Sequence, residues 1–251
     1  MLLPFILDVQ GPTATLTLNR PEKHNALDMD DIAALDGAIV ELGQRQDLRC
    51  LVLTGTGKSF CAGANLTVVS GQDWHDNPLE RMTDRLEALP FPTLCALNGG
   101  VYGGGTDVAL ACDFRLGVEG MKCFIPPARL GVHYPPGGLK RAVTRLGLGP
   151  AKRLFLATET MDAAEMLRIG FLDWLVPAAS LTARAAEIAG TIVDLAPSAV
   201  RGMKRALNEI AAGELDRAAA VERSGASFLS RDHGEAKAAL TEKRKPVFTG
   251  D

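Results

Sequence analysis

No apolar run in these 251 residues reaches the roughly 20 needed to cross a bilayer, so the sequence predicts no membrane span. The opening Met1-Leu-Leu-Pro-Phe-Ile-Leu-Asp8 lacks a basic n-region, and its apolar stretch is short for a secretion signal. A cytoplasmic protein is expected. Basic clusters are equally scarce. None exceeds Lys243-Arg-Lys245, the formal net charge is −3, and no basic face is interleaved with aromatics. Those lacks argue against nucleic acid as a partner. Cysteines number five, and no CxxC spacing occurs. An odd set without metal-ligand spacing predicts buried, reduced thiols (Cys50, Cys61, Cys95, Cys112, Cys123) and neither a disulfide framework nor zinc. What is present is ordinary for a globular chain: 47% apolar and 23% charged residues. The length suits one large domain, or a domain with an appendage.

Residues 13–18, Thr-Ala-Thr-Leu-Thr-Leu, alternate as a strand does. Asp28 then stands where it can cap a helix whose apolar stripe is Ile32, Leu35, Ile39 and Leu42. Residues 50–54 read as a second strand, 65–77 as a loop, 78–89 as a helix, and 93–97 and 114–118 as further strands. Strands alternating with helices predict an α/β architecture. From Pro150 the pattern is Ala-rich and almost wholly helical, broken at Gly170, Pro177 and Pro197. Helices expected over 198–212 and 214–230 carry apolar positions that need a partner to cover them.

The most informative stretch is Asn98-Gly-Gly-Val-Tyr-Gly-Gly-Gly-Thr-Asp107, which joins the strand at 93–97 to an apolar segment. Consecutive glycines let a ligand approach the backbone, and a helix starting there directs free N–H groups outward. An oxyanion is stabilised by such donors, with Asp107 one turn away for proton chemistry. A plain tight turn, with Asp107 complementing the helix dipole, fits the same residues equally well. A second small-residue loop, Gly55-Thr-Gly-Lys-Ser-Phe-Cys-Ala-Gly-Ala-Asn-Leu66, follows the strand at 50–54. Two loops of this kind can each offer one N–H to a single oxygen.

The pair of loops resembles the enoyl-CoA hydratase/isomerase (crotonase) superfamily. So do Leu18-Asn-Arg-Pro-Glu-Lys-His-Asn-Ala-Leu27, Met161-Asp-Ala-Ala-Glu-Met-Leu-Arg-Ile-Gly-Phe-Leu-Asp173 and Glu242-Lys-Arg-Lys-Pro-Val-Phe248. The order and spacing of the segments, over nearly the whole chain, carry the resemblance. It implies a spiral of ββα turns over residues 1–196 and a C-terminal helical region over 197–251. It also implies assembly as a homotrimer or a dimer of trimers, and a role in acyl-CoA, hence fatty acid, metabolism.

By the same resemblance the partner is an acyl-CoA thioester, no metal or redox cofactor is needed, and coenzyme A arrives as part of the substrate. The oxyanion donors fall on Ala64 and Gly104. Hydratases of the family use two glutamates, whose positions fall on Asp107 and Ala128. The first is one methylene shorter here and the second is missing, which disfavours hydration and favours isomerase-like or decarboxylase-like chemistry. The loop Leu130-Gly-Val-His-Tyr134 resembles that of methylmalonyl-CoA decarboxylase and makes His133 and Tyr134 further catalytic candidates. Lys23, His24, Ala26, Ala62 and Ala64 fall on the CoA-binding side. Lys245 and Phe248 match a segment that contacts CoA from a neighbouring subunit. The loop 69–78, with Trp74 and His75, is expected to line the acyl pocket. A catalytically silent acyl-CoA binder, or an RNA-binding relative, is the rival reading.

Overall fold

A hairpin opens the chain: Phe5–Gln10 (β1) pairs antiparallel with Thr13–Leu18 (β2), from Phe5↔Leu18 to Gln10↔Thr13. β2 buries Ala14, Leu16 and Leu18 and leaves its threonines half-exposed, as a period-two strand must when one face meets the core. The computed structural model describes residues 3–65 and 76–251. Trp74 and His75, read as part of the acyl-pocket loop, lie outside the described residues.

The helix Met29–Gln44 (α1) follows Asp28 at its N-cap; the Asp28 N–H donates to Asp31 Oδ2 at 3.2 Å, and Ile32, Leu35, Ile39 and Leu42 are buried as their spacing predicts. Next come Cys50–Gly55 (β3), Ser59–Cys61 (β4), Pro78–Glu87 (α2), Thr93–Leu97 (β5), Gly100–Tyr102 (β6), Gly104–Ala111 (α3), Phe114–Val118 (β7) and Lys122–Phe124 (β8). The second half contributes Pro136–Leu146 (α4), Leu148–Phe155 (α5), Met161–Asp162 (β9), Ala163–Arg168 (α6), Trp174–Val176 (β10), Leu181–Val193 (α7), Pro197–Ala212 (α8), Arg217–Ser227 (α9) and Arg231–Glu242 (α10).

Among the described residues the strands form two sheets, ordered β1-β2-β3-β5-β7-β10 and β4-β6-β8-β9. Each turn of the chain puts one strand in the larger sheet and the next in the smaller: β3 then β4, β5 then β6, β7 then β8. This is the expected ββα spiral, although the sequence shows no repeat, because the turns share geometry and burial rather than residues. The inner strands run parallel, with Leu51↔Thr93 and Leu94↔Phe114 in register. β5 is buried on both faces, as a parallel strand between two layers should be. On one side α7 packs across β3, β5 and β7. Leu16, Leu18 and Leu53 share an apolar interior with Leu35, Ile39, Met82, Leu86 and Val108.

Among the described residues six strands lie outside the sequence reading: β1, β8, β9 and β10, and the short β4 and β6, which fall inside the two small-residue loops. β10 is three half-buried residues in a region that reads as helix, and local pattern cannot reveal it. It joins the sheet through tertiary contacts: Asp173 N–H donates to the Arg115 carbonyl at 2.9 Å, and Arg115 N–H to Asp173 Oδ2 at 2.7 Å. β1 exposes most of its residues and is held as a strand by β2.

The C-terminal helices rest on the core through polar contacts. Lys204 Nζ, buried, donates to the Phe91 carbonyl at 2.9 Å and to Asp113 Oδ2 at 2.7 Å. Arg201 donates to the Leu48 carbonyl, and Arg49 to those of Val193 and Phe248. Met203, Leu207, Ile210, Val221, Phe228 and Leu229 stay exposed on α8, α9 and the turn that follows.

All five cysteines are buried and free. Burial pushes the Cys50, Cys61 and Cys123 thiols up to about 12 and Cys95 well above its ordinary value. A raised thiol keeps its proton in the folded chain after the unfolded chain has released it. Its contribution is therefore complete below about pH 8.5 and is lost as pH rises towards 12, at about 1.4 kcal/mol per pH unit per thiol. Urea midpoints are expected to hold between pH 7 and 8 and to fall steeply above pH 9. A midpoint unchanged to pH 10.5 would count against buried, protonated thiols.

Candidate active site

β4 ends at Cys61 and delivers Ala62–Asn65 alongside residues 24–27. Ala62 N–H donates to the His24 carbonyl at 3.0 Å, Leu27 N–H to that of Gly63 at 2.8 Å, and Asn65 N–H to that of Leu27 at 2.9 Å. Gly63 N–H is taken by Cys61 Sγ at 3.3 Å, and that thiol donates to the Asn25 carbonyl at 3.2 Å. Ala64 is the amide of this stretch left without an acceptor among the described residues.

The second loop ends β6 and begins α3. Gly103 caps the helix at φ +52° and donates its N–H to the Phe124 carbonyl at 3.0 Å; Gly104 is the first helical residue, and its N–H also lacks an acceptor among the described residues. The two free amides adjoin. A Cβ built on Gly104 would lie 3.4 Å from the Ala64 nitrogen, and one on Gly63 would lie 2.9 Å from Gly104 Cα and nearer still to its nitrogen. Gly63 also sits at φ +82°, which L side chains rarely adopt. The glycines thus serve close approach of two backbones, and the product is a pair of donors at a helix N-terminus.

Asp107 lies in the first turn of α3, 3% exposed. Its carboxylate is gripped by Arg141 from α4: Nε donates to Oδ1 at 2.7 Å and Nη2 to Oδ2 at 2.9 Å. Thr83 Oγ1, from α2, lies 3.1 Å from Oδ2 and 2.9 Å from the Glu80 carbonyl, so its one proton serves one of the two at a time. Burial alone would pull the Arg141 guanidinium down, but hydrogen bonds and charge from Asp107, with Asp84 and Glu87, raise it well above its ordinary value.

Tyr134 adjoins this carboxylate. A Cβ on Gly138 would strike the Tyr134 ring and come within 3.2 Å of Asp107 Cγ. The Tyr134 hydroxyl donates to the Gly103 carbonyl at 3.2 Å, one residue from the Gly104 amide, and its ring packs on Phe155 at 4.7 Å between centroids. Burial, then the Asp107 charge, pushes the phenol well above its usual range. It is a neutral donor, not a base. His133 does not join it. The imidazole is exposed, and Nδ1 lies 2.7 Å from the Tyr134 carbonyl, because adjacent residues of this loop face opposite ways. Ala128 is also exposed, on the short 3-10 turn Pro127–Leu130.

The structure brings Lys23, His24, Ala26, Ala62 and Ala64 together at one edge of the first loop. Lys23 Nζ is bound by Asp28 at 2.6 Å and Asp31 at 3.0 Å, so its charge is largely balanced within the chain. Lys245 and Phe248 do not reach this edge. Lys245 pairs with Asp194 at 2.5 Å, and the Phe248 carbonyl accepts from Arg49 at 2.6 Å, at the end of β3 opposite the loop. Within one chain they are remote from Ala64.

Sequence reasoning missed Arg141 and Thr83. A signal existed: Arg141 lies at helical spacing with Gly138, Ala142 and Leu146, the buried stripe of α4. An arginine in such a stripe is seldom buried without a partner carboxylate.

The model of the family described as enoyl-CoA hydratase/isomerase matches residues 9–251. The chain is 34% identical to a short-chain-enoyl-CoA hydratase of Clostridium acetobutylicum, covering 96% of this chain and 95% of that protein. Identity to a crotonyl-CoA hydratase of Syntrophomonas wolfei is likewise 34%, over 97% of each. Among solved structures, an enoyl-CoA hydratase/carnitine racemase from Magnetospirillum magneticum superposes with a TM-score of 0.94 at 27% identity, covering 100% of this chain and 97% of that one. A putative family protein from Hyphomonas neptunium gives 0.91 at 30% identity, over 99% and 98%. Sequence and fold agree, and the chain belongs to the enoyl-CoA hydratase/isomerase family.

Proposed function

We propose that this protein is an acyl-CoA-processing enzyme that forms a thioester enolate and moves one proton with one carboxylate. The observation that carries the reading is the pair of adjoining amides of Ala64 and Gly104, which have no acceptor among the described residues. The thioester oxygen would accept from both, and each donor aimed at a developing oxyanion is worth about 3 kcal/mol. Asp107 serves as the acid/base, and the Tyr134 phenol as a neutral donor beside it. No metal or redox cofactor takes part, and coenzyme A enters with the substrate. Calorimetric titration with butyryl-CoA tests the reading: saturable binding at up to millimolar ligand is expected, without added metal, and no binding there would end it. Titration with RNA is expected to give no heat of binding.

Among family reactions, proton transfer between carbons fits better than hydration. Ala128 carries no proton, so an attacking water has one carboxylate to orient it. Loss of such positioning costs a factor of about 100, and crotonyl-CoA hydration is expected to be slow. Ala128→Glu should raise it. A wild-type rate equal to that of an efficient two-glutamate hydratase, measured alongside, would overturn this preference.

The exposed apolar face of α8 and α9 suits a homotrimer or a dimer of trimers, in which Lys245 and Phe248 would approach a neighbour's CoA. Light scattering on the calorimetry sample should give a trimer or its double, not a monomer.

A further inference from the structure

Arg141 is 3% exposed, and each of its five N–H groups has an acceptor. Nε and Nη2 hold Asp107, Nη2 also reaches Thr83 Oγ1 at 2.6 Å, and Nη1 reaches Asp84 Oδ1 at 2.7 Å and Glu87 Oε2 at 3.3 Å. Three elements, α2, α3 and α4, therefore meet at one guanidinium. Arg145 bonds the other oxygen of Glu87 at 3.1 Å, which ties that carboxylate down in turn. A planar fork gripping a carboxylate through two atoms fixes both its position and its plane, which a single ammonium cannot do.

The two oxygens of Asp107 are not equivalent. Oδ2 takes Arg141 Nη2 and has the Thr83 hydroxyl beside it, whereas Oδ1 takes Arg141 Nε alone among the described residues. A carboxylate oxygen has two acceptor positions. Oδ1 keeps one.

We propose that Arg141 is a positioning residue that acts through Asp107: its bidentate grip fixes the place and plane of the carboxylate, and leaves Oδ1 as the atom that exchanges a proton with the substrate. This inference rests on the acyl-CoA reading above. In the step assigned to it, Oδ1 takes an α-proton from the acyl group. The C–H electron pair becomes the enolate, whose oxygen is held by the Ala64 and Gly104 amides. Return of a proton from Oδ1 restores the thioester. No further reactant is consumed.

The step can be read without knowing the physiological substrate, as exchange of the α-protons of butyryl-CoA for deuterium in D2O, followed by NMR. Arg141→Gln is expected to slow exchange by about 100-fold or more, in line with the usual contribution of a positioned acid/base. Its affinity for butyryl-CoA by calorimetry should change less than about 3-fold, since Arg141 touches no part of the CoA-binding edge. Arg141→Lys keeps the charge but not the fork, and should lose about 10-fold. The double variant Asp107→Asn/Arg141→Gln should exchange no more slowly than Asp107→Asn alone, within about 3-fold, because residues acting as a unit are not additive. Wild-type exchange in either Arg141 variant, or additive losses in the double variant, would overturn the proposal. If Arg141→Gln does not fold, Arg141→Lys decides it. Wild-type protein that neither binds butyryl-CoA nor exchanges its α-protons would instead remove the acyl-CoA reading.

Discussion

Gly63→Ala is expected to lower turnover by about 10² to 10³-fold, the loss typical of one misplaced oxyanion donor. The methyl group would lie 2.9 Å from both Gly104 Cα and Gly105 N and closer to Gly104 N, so the two loops must separate. The residue is also strained at φ +82° whatever the space. Both effects act on the same pair of amides, since Ala64 follows directly and Gly104 is the atom group struck. Residual stability separates this from simple unfolding. Gly170→Ala meets a similar φ of +77° with nothing within 4 Å, and serves as the control for strain alone. It should lose stability of about 1 kcal/mol and little activity. Equal loss of turnover in the two variants, or none in Gly63→Ala, would mean that the approach of the loops does not matter.

Asp107→Asn should lower turnover by about 10² to 10⁴-fold, the range for removing a general acid/base. The amide keeps the size of the carboxylate but cannot take a proton. Its NH2 also faces donors of Arg141, and breaking a buried ion pair by removing one partner costs about 3 kcal/mol of stability. Arg141 retains Asp84 and Glu87, which limits that cost. Assays well below the melting temperature of the variant, with butyryl-CoA binding as the check on folding, keep the two effects apart. A folded Asp107→Asn protein with wild-type turnover would remove Asp107 from the chemistry and direct attention to Tyr134, the adjoining neutral donor.

Local sequence determined the parts whose causes are local. The alternation of residues 13–18 required a half-buried strand and the stripe from Ile32 to Leu42 an amphipathic helix, while the small-residue loops permitted close backbone approach, which the fold realises between Gly63 and Gly104. The placing of candidate donors on Ala64 and Gly104 came from the family resemblance rather than from local pattern, and the described residues leave both amides without an acceptor. Tertiary structure decided the rest. Arg141 reaches Asp107 across 34 positions and Thr83 does so across 24, and no periodicity encodes which carboxylate a buried arginine will meet. Tyr134 and His133 are adjacent in sequence, yet one hydroxyl turns in towards Gly103 and the neighbouring imidazole stays at the surface. β10 is a strand only because β7 and Asp173 make it one. Lys23 is charged in the sequence and paired in the fold. A residue type states what a side chain is able to do; the packing of distant elements settles which partner it does it with, because burial makes an unpaired charge or donor too costly to keep.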